Sequence, residues 1–213
     1  MSTGEMRQNE SSICKEPINI ESLAAVETWL SKGTEFASAE EAYACFEKAN
    51  KIIPTVIGHF GLGKAIGKKS RDPAIHEQAI VHFNDALEML EITTQDGKEE
   101  LMADIEIQKA FSCSIAGRFD ESLESINRAL STYRTLEDKE RIGHALCHDG
   151  IRLYLKDEKE AALAKFNEAI RENPKDGDTW YNKAIVYREL GKPADANYCL
   201  LKAKGYGTSV DVW

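Results

Sequence analysis

Small and large residues alternate along this chain in two recurring patterns. In one, a small residue is followed four positions later by a large apolar residue and three further on by alanine. It occurs as Ala42/Phe46/Ala49, Ala79/Phe83/Ala86, Ser122/Ile126/Ala129, Ala162/Phe166/Ala169 and Ala196/Leu200/Ala203. Offsets of three and four place each triplet on one helix face. The other pattern lies upstream of each triplet and inverts the sizes: Trp29/Gly33/Phe36, His59/Gly63/Ile66, Glu106/Ala110/Cys113, Leu146/Gly150/Leu153 and Trp180/Ala184/Tyr187. Small residues let two helices cross closely, and a large side chain fills the gap between neighbours. The patterns therefore predict pairs of packed helices and no sheet.

The polar punctuation fits those pairs. Turn signals separate the two helices at Ser70 to Pro73, Gly117-Arg118, Lys156-Asp157-Glu158 and Gly191-Lys192-Pro193. Ser38 and Glu41 have the spacing of a capping box that opens a second helix. Asn19 is expected to cap the first helix, with Ile18 packing on Leu23 as a staple. Pro54 and Pro174 mark pair ends, because proline cannot continue a helix.

Trp180-Tyr181-Asn182, Ala184, Tyr187, Gly191, Ala196 and Ala203, together with the 34-residue step from Ala162 to Ala196, resemble the tetratricopeptide repeat. The earlier steps of 37, 43 and 40 residues resemble the longer-helix variants of that family. The third unit departs most, with Glu106 and Ser122 in slots that prefer a large apolar residue and alanine. The resemblance runs from about Ala24 to Lys204. It implies an all-α fold, an α-α superhelix or right-handed solenoid of about five helix-turn-helix repeats. One pair cannot bury its apolar stripe, so stacked neighbours must share a continuous core. The expected organisation is a flexible segment over 1–17, a repeat domain over 18–205 and a tail over 206–213. The expected repeats cover about 23–54, 56–93, 100–136, 143–174 and 177–204.

In that family the first helices of the pairs line a concave groove. The positions one and five after each large slot are the expected lining: Phe60 and Lys64, Ile107 and Phe111, Cys147 and Ile151, then Tyr181 and Ile185. Tyr154 and Arg188 follow, and His144 and His148 fall in the corresponding run. A largely apolar strip of this kind marks an interaction site for a partner protein, offered as a peptide or amphipathic helix. The alternative reading is that the chain's own helices or tails cover it. The family's dicarboxylate clamp for chaperone termini is not expected, because only Lys64 in one frame and Asn182 in the other match its Lys, Asn and Arg pattern.

Charge and chemistry narrow the classes. Lys and Arg total 27 against 36 Asp and Glu, a net charge of −9, which works against binding nucleic acid or an anionic membrane. The densest basic stretch, Lys64, Lys68, Lys69 and Arg71, reads as one solvated helix end. No apolar run is long enough for a membrane span. The five cysteines contain no C-x-x-C pair and read as reduced thiols of a cytoplasmic protein.

His144, Cys147 and His148 are zinc-type ligands within one helical turn, but nothing nearby in sequence completes a metal site. Gly58 to Gly67 is glycine-rich without a preceding strand, and Gly63 is already a packing residue. No enzymatic activity, metal or cofactor is expected. The tail residues Leu201, Tyr206, Val210, Val212 and Trp213 are apolar, so the terminus either folds back or pairs with a second subunit in a homodimer.

Overall fold

The computed structural model describes residues 20–208 apart from 36, 37 and 95, with the backbone alone for 20–22. Ten α-helices and no strand occur among the described residues: α1 Ile20–Glu35, α2 Ala39–Ile52, α3 Val56–Lys69, α4 Pro73–Glu91, α5 Lys98–Ile115, α6 Phe119–Thr135, α7 Lys139–Leu155, α8 Lys159–Glu172, α9 Gly177–Glu189 and α10 Pro193–Tyr206. Each odd-numbered helix packs on the even-numbered helix that follows, and each pair packs on the next. Odd helices also touch the neighbouring odd helices, whereas no even helix touches another. The odd helices therefore form the inner, concave layer of an all-α superhelix.

Local chemistry sets the helix ends. The Ser38 hydroxyl accepts from the Glu41 amide, Thr55 from Gly58, Asp72 from Ala74, Asp138 from Arg141 and Asp176 from Asp178. Four later turns share one closing geometry. Gly117, Glu137, Asp157 and Gly191 have positive φ, and the next amide donates five residues back: Arg118 to Cys113, Asp138 to Tyr133, Glu158 to Leu153 and Lys192 to Tyr187.

The two size patterns interlock. A β-carbon at Gly63 would stand 2.5 Å from the Phe83 ring, and one at Gly150 would stand 2.5 Å from the Phe166 ring. Phe83, Ile126 and Phe166, the large slots of α4, α6 and α8, are at most 1% exposed. Leu200, the equivalent in α10, is 40% exposed, because among the described residues α10 packs on no helix except α9.

The third pair solves its irregular slots with polar bonds. Glu106 is buried and accepts from Arg128 at 3.1 Å, and Lys109 pairs with Glu121 at 3.1 Å. Ser122, fully buried in the alanine slot, meets the Ser114 hydroxyl at 2.8 Å.

Asn19, Ile18, the Phe36 slot and the tail residues Val210, Val212 and Trp213 lie outside the described residues, as does the segment 1–17. Leu23, the expected partner of the staple, is 46% exposed.

Candidate functional site

The concave face carries two cavities built almost wholly from odd-numbered helices. The larger, about 770 Å³, is lined by Gly67 to Lys69 of α3, Gln108 and Phe111 of α5, His144, Cys147, His148 and Ile151 of α7, and Asp178 and Asn182 of α9, with Ser70, Arg71 and Asp176 from the adjoining turns. The smaller, about 360 Å³, is bounded by Phe60, Lys64, Asp104, Ile107, Arg141 and His144. His144 belongs to both, so the two form neighbouring parts of one groove.

A ladder of rings runs along its floor. His76 meets Phe111 edge-on at 5.8 Å between centroids, Phe111 meets His148 at 5.7 Å, and His148 meets His144 at 4.6 Å. His76 is locked by Ser112 Oγ at 3.1 Å and the Ser70 carbonyl at 2.9 Å, which ties α4 to α5 beneath the groove. The buried His148 Nδ1 has no hydrogen-bond partner. Burial, with the neighbouring His144 as a smaller cause, pushes the His148 pKa well below its ordinary value.

The rim is charged. Lys68, Lys69 and Arg71 stand on one side, Asp176 and Asp178 on the other. Desolvation lowers the Lys64 pKa and Lys68 adds to the effect, while Asp104 opposes it. The Lys64 ammonium lies 5.2 Å from the centre of the Phe60 ring. Asp104 accepts from the Tyr133 hydroxyl at 2.8 Å, and Arg141 binds Glu100 and faces Asp138 at 3.6 Å.

This arrangement corrects the expected apolar strip. Ile107 is 1% exposed, Cys147 and Ile151 4% each, and Ile185 8%. The first three belong to the core shared by the central pairs, because each odd helix turns that face toward the next odd helix. They form the floor beneath the groove. Tyr181, Ile185 and Arg188 are not in the groove; with Ala196 and Leu200 they line a separate pocket of about 120 Å³ between α9 and α10. Tyr154 packs against the core, and its hydroxyl donates to Glu189. Phe60, Lys64, Phe111, His144 and His148 do face the groove.

Cys147 is buried beside the two histidines. Burial pushes its pKa up to about 12, and Asn182 Nδ2 donates to its sulfur at 3.5 Å. Asn182, the lone match to the chaperone clamp in that frame, is buried in the cavity wall. The sequence reading missed Asp104, Glu140, Arg141 and Asp176. The first three lie one helical turn before Gln108 and His144, so extending the lining by four residues finds them.

The tetratricopeptide repeat family matches residues 165–196, which span α8, α9 and the start of α10. With the ten-helix superhelix, this gives the chain the fold of tetratricopeptide-repeat proteins. An uncharacterized protein of Methanocaldococcus jannaschii is 40% identical over 53 residues, 25% of this chain. The chain spans 62% of that relative's length.

Among solved structures, PilF of Pseudomonas aeruginosa superposes with a TM-score of 0.60 at 14% identity, covering 89% of this chain and 79% of that one. YrrB, described as a tetratricopeptide-repeat protein with an unusual peptide-binding site, superposes with a TM-score of 0.51 at 18% identity, covering 90% and 87%. At such identities these likenesses show the fold. Among the described residues no helix is long and apolar enough to cross a membrane.

Proposed function

We propose that the chain is a protein-interaction scaffold that holds an extended peptide segment of a partner protein in its concave groove. The observation that carries this reading is the cavity of about 770 Å³ to which four successive first helices contribute. The peptide-binding site named for YrrB supports the same use of the fold. Ile107, Cys147 and Ile151 are already buried by the chain, so little bare apolar strip remains for an amphipathic helix. Ring faces, Gln108 and charges of both signs suit an extended backbone with mixed side chains.

The test is to select peptides on the protein from a random display library and measure them by fluorescence polarisation. Replacing Phe111, His144 and Asp178 together by Ser should weaken selected peptides at least about tenfold while the protein stays helical, since none of the three is fully buried. Peptides that bind this variant as tightly as the parent would refute the groove.

A second reading, a homodimer, rests on α10. Leu201 is 72% exposed and Tyr198 55%, and α10 packs on no described helix but α9. If that face pairs two copies, Leu201→Glu should convert a dimer to a monomer in light scattering. A monomeric parent at high concentration removes this reading.

A further inference from the structure

We propose that His59, His82 and Asp85 bind a zinc ion between α3 and α4, with water completing the coordination. This site is distinct from the groove and from the His144–Cys147–His148 run. His59 stands in the first turn of α3; His82 and Asp85, three residues apart, share a face of α4.

His59 Nδ1 lies 3.2 Å from His82 Nδ1 and 3.3 Å from Asp85 Oδ2. Two donors bound to one zinc ion at about 2.0–2.1 Å and near the tetrahedral angle stand about 3.3–3.4 Å apart, so both separations match a shared ion. All three donor atoms lie within 4.8 Å of one another. The Asp85 side chain is 43% exposed, so it has space to turn toward an ion shared with His82.

Protons alone serve this cluster poorly. A neutral imidazole Nδ1 is either a donor or an acceptor. If His59 Nδ1 carries its proton, that proton is divided between a lone pair of His82 and the Asp85 carboxylate. If it does not, it can accept from His82 Nδ1–H, but its lone pair still faces the Asp85 carboxylate. One cation satisfies all three atoms at once.

The donor set selects the ion. Two imidazoles and one carboxylate suit zinc and its transition-metal neighbours, whereas calcium and magnesium prefer all-oxygen shells. Burial, and next the neighbouring His59, lower the His82 pKa against the opposing pull of Asp85. The His59 side chain is 16% exposed, which leaves an outer position for water. A bound ion would clamp the second pair, whose packing slot at His59 lacks the tryptophan or leucine of the first, fourth and fifth pairs.

The experiment uses the full chain stripped with chelator. Zinc is titrated by calorimetry, and cobalt(II) by its visible absorption, which reports tetrahedral geometry. One ion per chain, strong cobalt bands and a zinc-dependent rise in melting temperature are expected. Asp85→Asn should weaken binding at least about tenfold and His59→Gln/His82→Gln should abolish it. His144→Gln should leave it unchanged. Circular dichroism checks each fold, and if the double variant does not fold, Asp85→Asn, altering a partly exposed side chain, decides. Absence of saturable zinc binding, or binding that survives both sets of substitutions, overturns the site.

Discussion

The third and fourth helix pairs occupy equivalent places in the stack but are held together by different means. In the fourth, the Phe166 ring of α8 fills the space that a side chain on Gly150 of α7 would need. In the third, Ile126 is the large residue and Ala110 the small one, and the remaining volume is spanned by Glu106–Arg128, Lys109–Glu121 and Ser114–Ser122. Ring packing stabilises through displaced water and dispersion, so it depends on volume. Polar pairing contributes little net energy but is costly when one member is lost. The same helix geometry therefore admits a polar slot where a partner on the facing helix meets it.

The sharpest way to break the comparison is to empty the ring's place. Phe166→Ala should cost about 3–5 kcal/mol in urea unfolding, since a fully buried aromatic leaves a cavity with glycine on its far wall. A loss below 1 kcal/mol would show that the fourth pair does not depend on its ring.

The converse change should help the third pair. Glu106 leaves Oε2 buried without a partner, while Arg128 is 58% exposed and can return to water. Glu106→Leu should therefore stabilise the protein by about 1–2 kcal/mol, because a buried charge half satisfied is inferior to an apolar residue of similar size. A lower urea midpoint would mean that the ion pair, not the slot, holds α5 to α6.

The smallest effect concerns the unmatched polar group of the fourth pair. The folded pKa of His148 is depressed, so below about pH 6.5 the unfolded chain binds the proton that the folded chain refuses. Its contribution is fully present above that pH and is lost as pH falls toward the folded pKa. Between pH 7 and 6 the parent should lose about 0.7 kcal/mol more stability than His148→Leu. Parallel pH profiles for the two proteins would show that His148 is hydrated.

How much could be read without coordinates differs between scaffold and site. The scaffold was legible because close helix crossing leaves a paired signature: Gly63 answers Phe83, and Gly150 answers Phe166. The groove was legible only as a set of first-helix positions. Which of these stay open depends on the angle between successive units, and that angle buries Ile107 and Ile151 while leaving Phe111 and His144 accessible. The acidic rim at Asp176 comes from a turn between units, where no helical period applies. The His59–His82 approach links residues 23 apart, and His59 also occupies a packing slot of the size pattern, which hides it.

The layering of odd and even helices has a mechanical consequence. Because, among the described residues, each helix pair rests only on its immediate neighbours, the stack is a spring rather than a block. A slight rocking at each of four joints adds along the axis and opens or narrows the inner face. Gln108, His144 and Asp178 sit on three consecutive coils of that spring, so whatever they grasp together would stiffen it, and a pull on its ends would loosen their grip.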